Sequence, residues 1–560
     1  MINTQLIRLG LPTILLALLS LPAAAQSFRV QCPTSTITHP TVLHDNNSEP
    51  AYTAPTTLKA GANGYLVPSA NVNGAIKCQQ ISGGDGYATM ADGTQTYMFS
   101  FGPLSGIAAI ASGQPGTDFP KDFNKVYTGP QLVPGDPATR IGASTGSLPL
   151  TSSQMTALSS FYNGAIGQVP DQDIAGAPID GHVDPRQIMD IGVMNGNIPA
   201  PLMAIDEDDE FFLTLTNVGM IMRPDLFEQH TVHFHGYPNA SAFYDGVPDA
   251  SVAINIGASF TYYYLAPDAG TYFWHCHITP PEHLQMGMVG QIYVRPRQNR
   301  VPANSTLYAA LNAQQSDLRT ACKSGTDILC SNPLPAGGDN GTKGGFVGGT
   351  ATKTFAYNDG DGSTQYDVEY PIQIHGFDPN FHFVGMTFNP EGFADMKDKY
   401  FLLNGRSYPD TLTPGPLQTQ SADGVNHFSQ PLPTVINIAA GHKALLRISD
   451  LDVSEYQTLA SLGIPMQVIA INAKLLRDQS GNNLYYNTNS ITLAGGESLD
   501  VILDAGGTKS DGRSYTSGEV YYLYTPNLDH LSNDAENFGG LMTEVHICRA
   551  VDPTTKACSI

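Results

Sequence analysis

The chain has 560 residues, 27 of them Lys or Arg and 50 of them Asp or Glu, so its formal net charge is −23. This acidic balance argues against nucleic acid as a partner and suits metal cations, a basic electron donor or simple solubility. Charged residues make up 14% of the chain, whereas Gly (56), Pro (40) and Tyr (26) are abundant, which favours short strands and turns over helices. We therefore predict an all-β protein, long enough for two domains of about 200 to 250 residues each.

The first 25 residues have the pattern of a secretory signal peptide. Arg8 precedes an apolar run over residues 11–22, and three alanines at 23–25 provide a small-residue cleavage site. The run is too short to span a membrane, and no later stretch of about 18 apolar residues follows it. These features predict export to the periplasm or the extracellular space, with no membrane span.

Strand signals follow along the chain. Aromatic or alternating runs at 96–101, 211–216, 259–264 and 271–274, most of them close to Gly, Pro or Asp, predict strands of a first domain. Residues 103–190 are rich in Gly, Ser, Pro and Asp with little periodicity, which indicates an insertion. The predicted units are a signal peptide 1–25, an N-terminal extension 26–79, a first domain 80–297, a linker 298–350, a second domain 351–548 and a tail 549–560.

Two internal similarities indicate that the domains arose by duplication. The segment 194–199 (MNGNIP) is echoed at 403–409 (LNGRSYP), and 287–294 (GMVGQIYV) is echoed at 540–547 (GLMTEVHI). Seven cysteines in an exported chain leave one unpaired. Proximity along the chain favours the pairs Cys32–Cys78, Cys322–Cys330 and Cys548–Cys558 among 15 possible connectivities, which leaves Cys276 free.

The segments 230–236 (HTVHFHG) and 274–277 (WHCH) carry the strongest chemical signal. Residues two apart in a strand share a face, so His233 and His235 point one way and His230 points the other. By the same rule, His275 and His277 share a face opposite to that of Cys276. Strand parity therefore predicts two sites back to back. One contains His230, Cys276, His283 and Met288, and the other contains His233, His235, His275 and His277.

The first predicted site combines a thiolate, two imidazoles and a distant thioether. This donor set stabilises both oxidation states of copper in a trigonal electron-transfer centre with a weak axial Met. The second set is four imidazoles, which suit copper and would also hold zinc. Because Cys276 is covalently flanked by His275 and His277, an electron that reaches the thiolate has a short backbone route to the second site. Isolated histidines are usually ordinary polar residues, but this many donors obeying one parity rule favour a metal site.

The stretch from Gly192 to Val294 resembles the multicopper oxidases, the family of laccases and ceruloplasmin. The resemblance rests on the motifs MNGNIP, HTVHFHG, YDGVP at 244–248 and HCH followed by His283 and Met288. It implies two Greek-key cupredoxin domains, copper as cofactor, and reduction of dioxygen with electrons from a small reductant such as a metal ion or a phenol. By motif, the first set would hold type 1 copper and the four-histidine set would serve a trinuclear cluster. One departure is that five residues, not the usual three, separate His277 from His283.

Half of the histidines that the family's cluster needs are missing. Outside 230–283 the chain has no His-X-His. In the second domain, 464–469 (IPMQVI) stands where a His-Pro-X-His-X-His motif is expected, and 524–526 (YTP) stands where His-Cys-His is expected. We therefore predict that the second domain binds no copper. The cluster would be completed by a second copy of the chain across a symmetric interface or by a different subunit.

Copper nitrite reductases also resemble the chain, but His233 occupies the place of their catalytic Asp and Pro526 the place of a copper-binding His. Asp245, in the YDGVP motif, is a candidate proton relay, although an Asp-Gly turn explains it equally well. Glu282 is a weaker candidate, and His375 and His382 lie in a loop-like stretch as ordinary polar residues. The main hypothesis is a copper-dependent oxygen-reducing enzyme, and the alternative from another class is a non-catalytic blue-copper electron carrier or copper-binding protein.

Overall fold

A computed structural model describes residues 30–62, 64–124, 168–170, 179–183, 194–236, 241–266, 268–312, 335–385, 392–420, 426–478 and 480–560. The predicted signal peptide, most of the predicted insertion and the proposed Cys322–Cys330 pair lie outside these residues. Among the described residues, no helix is long and apolar enough to cross a membrane.

The strands of the first part of the chain, in order, are β1 Thr57–Ala60, β2 Leu66–Ala70, β3 Ile76–Thr89, β4 Gln95–Pro103, β5 Gln168–Pro170, β6 Ile179–Val183, β7 Met203–Asp206, β8 Glu210–Gly219, β9 His233–Phe234, β10 Ser259–Leu265, β11 Gly270–His275 and β12 Val289–Arg295. The helices are few and short: α1 Ile107–Ala111, α2 Pro120–Phe123, α3 Pro280–Gln285, α4 Leu307–Asn312, α5 Pro379–Gly385 and α6 Leu528–Leu531.

The remaining strands are β13 Phe346–Val347, β14 Thr350–Ala351, β15 Thr354–Phe355, β16 Gln365–Tyr366, β17 Val368–Phe377, β18 Tyr400–Leu403, β19 Leu417–Gln420, β20 Asn426–Ser429, β21 Ile436–Ala439, β22 Lys443–Asp450, β23 Gln457–Leu462, β24 Met466–Ile471, β25 Lys474–Leu475, β26 Tyr486–Thr488, β27 Ser490–Leu493, β28 Glu497–Asp504, β29 Val520–Tyr524, β30 Met542–Cys548, β31 Ala550–Val551 and β32 Cys558–Ser559. The described residues also include short 3-10 helices at Ala242–Tyr244, Arg297–Arg300, Gly338–Asn340, Phe393–Asp395 and Asp410–Leu412.

Two four-stranded sheets face each other in the first half of the chain. Their strand orders are β10-β8-β3-β4 and β7-β12-β11-β9. Strand β8 shows why they pack, because Phe211, Leu213 and Leu215, two residues apart, share one face and enter one core with Trp274 and Ile292 of the opposite sheet. On the other face of β8, Thr214 and Thr216 make hydroxyl hydrogen bonds to β10. The period-two pattern thus places one buried core between the two sheets.

The second half of the chain repeats this arrangement with more strands. One sheet has the order β18-β17-β22-β28-β24-β25, with β26 on β24, and the facing sheet has the order β21-β30-β29-β23-β27. A separate core of aliphatic side chains lies between them. The structure confirms the predicted all-β class and the cupredoxin-type sandwiches, and the predicted domain boundaries remain a prediction.

Polar contacts join the back of β11 and β12 to the second half of the chain. The Thr271 hydroxyl donates to Asp500 at 2.5 Å, and the Ser498 hydroxyl donates to the Thr271 carbonyl at 2.8 Å. The Gln291 amide donates to the Arg447 carbonyl at 3.0 Å and to the Ser449 hydroxyl at 2.9 Å. The strand that leads to His275 and Cys276 is therefore held from behind.

A buried ion cluster lies at the same junction. Glu369 contacts Arg295 at 2.6 Å and the fully buried Arg447 at 3.0 Å. Burial alone would raise the pKa of the Glu369 carboxyl, but the charges of Arg295 and Arg447 outweigh it and hold the pKa well below its usual range. The carboxylate therefore stays ionised at neutral pH and pairs two strands from opposite halves of the chain.

Four of the predicted strands are confirmed, and several observed strands, such as β3, were not predicted. The predicted runs fall within β4, β8, β10 and β11. Strand β3 was missed because its sequence, IKCQQISGGDGYAT, contains three glycines and no clear alternation. The loop-like placement of His375 and His382 was wrong: His375 lies in β17 and His382 in α5, and both side chains are buried. The disulfides Cys32–Cys78 and Cys548–Cys558 are both formed, and Cys276 is free and buried.

Replacing Glu369 with Gln should lower the free energy of unfolding by about 3 to 5 kcal/mol at pH 7, because it removes the nearer carboxylate of the buried Arg447 guanidinium, whose other acidic neighbour, Asp500, is 3.8 Å away. The carboxylate's contribution is present above its ordinary pKa of 4.5 and is lost as the pH falls, so the gap between variant and wild type should narrow in acid. Urea unfolding at several pH values measures both effects. Asp511→Asn breaks the exposed Arg513–Asp511 pair and should change stability by less than about 0.5 kcal/mol; equal losses in both variants would contradict this account.

Candidate metal centres

The pairing of β9 with β11 positions the histidines and the free cysteine. His233 lies opposite His275, and Phe234 lies opposite Trp274. His230, three residues earlier, forms an isolated bridge with Ile254 of the neighbouring segment. Cys276 follows the last residue of β11, and its N–H donates to the Met288 carbonyl at 3.2 Å. The two motifs, at 230–236 and 274–277, therefore meet side by side.

The structure brings three of the four predicted type 1 donors together as a thiolate cluster of His230, Cys276 and His283. Their ligand atoms lie within 4.8 Å of one another, and all three side chains are buried. The His283 Nδ1 is 3.2 Å from the Cys276 Sγ, and the Thr231 N–H donates to the same sulfur at 3.4 Å. Met288 is fully buried in the same core, and its N–H donates to the His283 carbonyl at 2.9 Å.

Packing fixes the two imidazoles of the thiolate cluster. The Phe99 ring meets the His283 ring edge-on at 5.1 Å and lies 6.4 Å from the His230 ring. Gly83 of β3 leaves room for His230, since an added Cβ would lie 2.8 Å from its Cδ2. Neither ring nitrogen of the buried His230 has a hydrogen-bond partner among the described residues. Buried polar atoms without partners are rare, so this pocket fits a bound cation that accepts nitrogen and sulfur donors.

Electrostatics favour the thiolate form of Cys276. Burial alone would raise the pKa of this thiol, but the neighbouring His283 and His230 imidazoles lower it well below its usual value. Burial likewise would lower the pKa of His283, but the Cys276 thiolate and Glu228 raise it to about 9. The thiolate, with imidazole on two sides, is the donor set of a blue-copper centre.

The second predicted set forms an imidazole cluster of His233, His235, His275 and His277. The ligand atoms of the first three lie within 4.8 Å of one another, and the two Nε2 atoms of His235 and His275 are 2.9 Å apart. The ring of His277 lies 5.0 Å from that of His233, outside the close triad. These rings are partly exposed except for His275, which is buried.

Two features suit the imidazole cluster to a metal cation. Burial and the neighbouring imidazoles lower the pKa of His235 to about 4, and burial with the same neighbours lowers that of His275 to about 3. Both rings are therefore neutral at pH 7, which is the form that binds metals. The His275 Nδ1 is 2.7 Å from the Cys276 carbonyl oxygen, so its Nε2 faces the cluster and the two clusters share one stretch of backbone.

Asp245 lies beside the imidazole cluster. Its carbonyl oxygen is 2.6 Å from the His233 Nδ1, and its carboxylate is 3.6 Å from the same atom. The residue ends the 3-10 helix Ala242–Tyr244, and Gly246 follows it with a φ of +80°. A side chain on Gly246 would collide with the Val232 carbonyl, because its Cβ would be 2.0 Å away. The turn thus explains Gly246 and also places the carboxylate against the cluster.

Sequence reasoning missed Glu228. Its carboxylate lies 3.7 Å from the Nε2 of His283, the ring edge that faces away from Cys276. The interaction with His283 lowers the pKa of Glu228. Glu228 lies two residues before His230, which makes it a possible neighbour of the site. Its contact with His283, however, is not indicated by any local pattern in the sequence. Glu282, the weaker candidate, is half-buried near the same two groups.

The second half of the chain carries a copy of this site without the donors. In the first half, His275 pairs with His233 on one side and with Val289 on the other. In the second half, Tyr524 pairs in the same way with Ala460 and with Met542. The same register puts non-ligating residues at the other positions: Gln457 for His230, Leu462 for His235, Thr525 for Cys276, Pro526 for His277 and Leu541 for Met288. His530 lies in the helix after β29, the segment that corresponds to the one that carries His283, and its ring is held by Glu455 and Gln457.

This register corrects one detail of the sequence analysis. The segment 464–469 was matched to the missing His-Pro-X-His-X-His motif, but Met466–Ile471 is β24, which pairs with β28 in the other sheet. The strand next to β29 is β23, Gln457–Leu462. The match was wrong because it rested on Pro465, which stands at the proline position of the motif, and because the local sequence does not show which strands pair. The segment 524–526 was placed correctly.

Comparisons with known proteins agree with the first half of the chain. Residues 180–299 match the family model described as multicopper oxidase. The chain is 30% identical over 145 residues to "Multicopper oxidase MCE" of Talaromyces pinophilus, covering 26% of this chain and 22% of that protein. It is 35% identical over 109 residues to a copper-containing nitrite reductase of Rhizobium meliloti, covering 19% of this chain and 26% of that protein. The matches thus span about a quarter of these relatives or less.

A blue copper oxidase from Nitrosomonas europaea is a structural neighbour, with a TM-score of 0.39, 20% identity, and coverage of 63% of this chain and 78% of that one. The sheets and the two clusters described above define a cupredoxin-type protein. The region that matches the multicopper oxidase family model contains all eight predicted donors, and that family uses copper.

Replacing Gly83 with Ala should destabilise the metal-free protein by about 1 to 3 kcal/mol, because the new methyl group overpacks the His230 ring. Urea unfolding of the metal-free variant measures the loss. Gly507→Ala is a matched control, since its Cβ would meet only the Asp504 carbonyl oxygen at 3.4 Å. A loss at Gly83 no larger than at Gly507 would show that His230 is not confined as described.

Proposed function

We propose that this protein is an exported copper-dependent oxidoreductase that takes electrons from a small reductant at the thiolate cluster and delivers them to dioxygen at the imidazole cluster. The observation that carries the proposal is the adjacency of the two clusters through Cys276. His230, Cys276, His283 and Met288 would hold type 1 copper, and His233, His235, His275 and His277 would bind half of a copper cluster. Copper at these sites supplies one-electron chemistry and the four-electron reduction of dioxygen to water.

The residues around the clusters prepare this chemistry. Cys276 is bonded on both sides to histidines of the imidazole cluster, and its thiolate has the Thr231 N–H at 3.4 Å. Reduction of dioxygen to water consumes one proton per electron, and the Asp245 carboxylate, 3.6 Å from the His233 Nδ1, would pass protons there. Asp245 would thus act as a proton relay, and its turn would fix its position.

The half cluster needs a partner. The second half of the chain offers Ala460, Leu462, Tyr524 and Pro526 at the positions of the missing imidazoles. A second copy of the chain, or a different subunit, would supply the other histidines, and the partly exposed rings of His233, His235 and His277 suit that role. The same absence favours the second candidate, a blue-copper electron carrier in which the thiolate cluster works alone. A nitrite reductase-like activity is less consistent, because His233 and Pro526 replace the residues that this chemistry uses.

Loading the mature protein with copper distinguishes the candidates. We expect an intense thiolate-to-copper absorption, more than one copper per chain in an oligomer, and oxygen uptake with a reductant. His275→Ala should abolish oxygen uptake while leaving the visible band, because it removes one imidazole of the second cluster only. Cys276→Ser should abolish both. His442→Ala, on the exposed surface of the second half, should change neither; one copper per chain with no uptake would favour the carrier.

Electron entry is expected at the Glu228 edge of His283. The carboxylate would hold a cationic reductant such as ferrous or manganous ion next to the imidazole that contacts the thiolate. Glu228→Gln should therefore lower kcat/KM for a metal ion about tenfold or more, as expected for loss of a charge-assisted contact of about 1.5 kcal/mol, and should leave a neutral phenol nearly unaffected. Asp225→Asn, an exposed carboxylate paired with Arg223, is the control. Equal effects of Glu228→Gln on both reductants would contradict cation entry there.

A further inference from the structure

Residues of the second half of the chain form hydrogen bonds with the loop that carries His283. Gln285, the last residue of α3, is fully buried, and its polar atoms face the second half. Its side-chain amide donates to the Asp398 carboxylate at 2.9 Å, and its side-chain oxygen accepts from the Asp378 N–H at 3.0 Å. Its carbonyl oxygen lies 2.8 Å from the Nε2 of His382. Three separate contacts therefore hold one residue of the loop.

His382 links this loop to the strand beneath it. The ring is buried, stacks on Phe377 at 3.6 Å, and has its Nδ1 2.6 Å from the Tyr97 carbonyl oxygen in β4. Burial lowers the pKa of His382 to about 3, so the neutral ring carries one N–H and donates to one of its two carbonyl neighbours. Tyr97 lies two residues before Phe99, whose ring contacts His283. His382 thus lies between the two segments that confine the imidazole.

Hydrogen bonds within the loop connect the segment around Gln285 to the expected copper ligands. The five residues between His277 and His283 include the start of α3, where Thr279 adopts a left-handed conformation with φ of 36°. The Met286 N–H donates to the Glu282 carbonyl at 2.9 Å, and the Met288 N–H donates to the His283 carbonyl at 2.9 Å. Gln285 lies between His283 and Met288 in this short hydrogen-bonded turn, so both follow its position.

The hydrogen bonds to Gln285 continue into the part of the second half that corresponds to the thiolate cluster. The Ser454 hydroxyl donates to Asp398, and the Gln457 amide donates to Asp452 at 2.6 Å. Gln457 holds the position of His230 in the second half and binds His530 at 2.9 Å. A buried polar network therefore occupies the place where the second half could have held a metal, and it extends to Gln285 on the loop.

We propose that the second half of the chain serves as a positioning element for the thiolate cluster, with His382 and Gln285 as positioning residues for His283 and Met288. This inference rests on the proposed copper site. Residues that orient metal ligands without touching the metal commonly change metal affinity or activity about 10- to 100-fold when replaced. The second half, which lacks donors of its own, would thereby set the affinity and the spectrum of the copper in the first.

The test compares copper-loaded full-length variants by visible absorption, reduction potential and copper retention against a chelator. His382→Leu removes both carbonyl contacts, and Gln285→Ala removes the contacts with Asp398 and Asp378 while keeping the backbone. We expect each to weaken copper retention about tenfold or more and to change the relative intensities of the thiolate absorption bands. His382→Gln keeps a donor and should fall between His382→Leu and wild type. The exposed His442→Gln should match wild type.

The outcomes separate the two proposals. Wild-type bands, potential and retention in both His382→Leu and Gln285→Ala would overturn the positioning role while leaving the copper site intact. A wild-type protein that shows no thiolate-to-copper band would overturn the copper site itself, and this inference with it. If His382→Leu does not fold, Gln285→Ala alone decides, since the Gln285 side chain is held to the second half by the two hydrogen bonds named above.

Discussion

The pairing of His233 with His275 between β9 and β11 is the constraint on which the rest of the site depends. Because side chains alternate along a strand, a slip of β9 by one residue would turn His230, His233 and His235 away from their partners on and after β11. The pairing is held from behind by contacts of Thr271 and Gln291 with the second half of the chain. The register of one short pair of strands thus decides which donors meet in the thiolate cluster and which in the imidazole cluster.

The two halves of the chain repeat one architecture and differ in chemistry. Strand register places Gln457, Thr525 and Leu541 at the positions of His230, Cys276 and Met288. Gln457 is hydrogen-bonded to Asp452 and His530, and Leu541 packs in the core of the second half. The second half has exchanged donors for a buried polar network centred on Asp398, Asp452 and Gln457. The network reaches the loop through Gln285, so the second half of the chain would bear on the proposed copper site without donating a ligand to it.

The parity of the two histidine motifs could be predicted from sequence because strand alternation is a local rule, and the four strands with aromatic or alternating patterns were found for the same reason. Strand β3 could not, because its glycines and glutamines hide the alternation although Cys78 and Ile81 are buried. Glu228, His382 and Gln285 gain their roles from contacts between distant segments, such as Gln285 with Asp398 across 113 positions. No local pattern encodes those contacts. The motif at 464–469 was misplaced for the same reason.

The central claim is that electrons accepted at Cys276 pass to the imidazole cluster and on to dioxygen. The most direct measurement is to reduce the copper-loaded protein without oxygen until the thiolate band is bleached, and then to follow that band in a stopped-flow mixer with oxygenated buffer. We expect the band to return within the turnover time measured for oxygen uptake. A band that stays bleached in oxygen, in an oligomer that retains its copper, would contradict the claim.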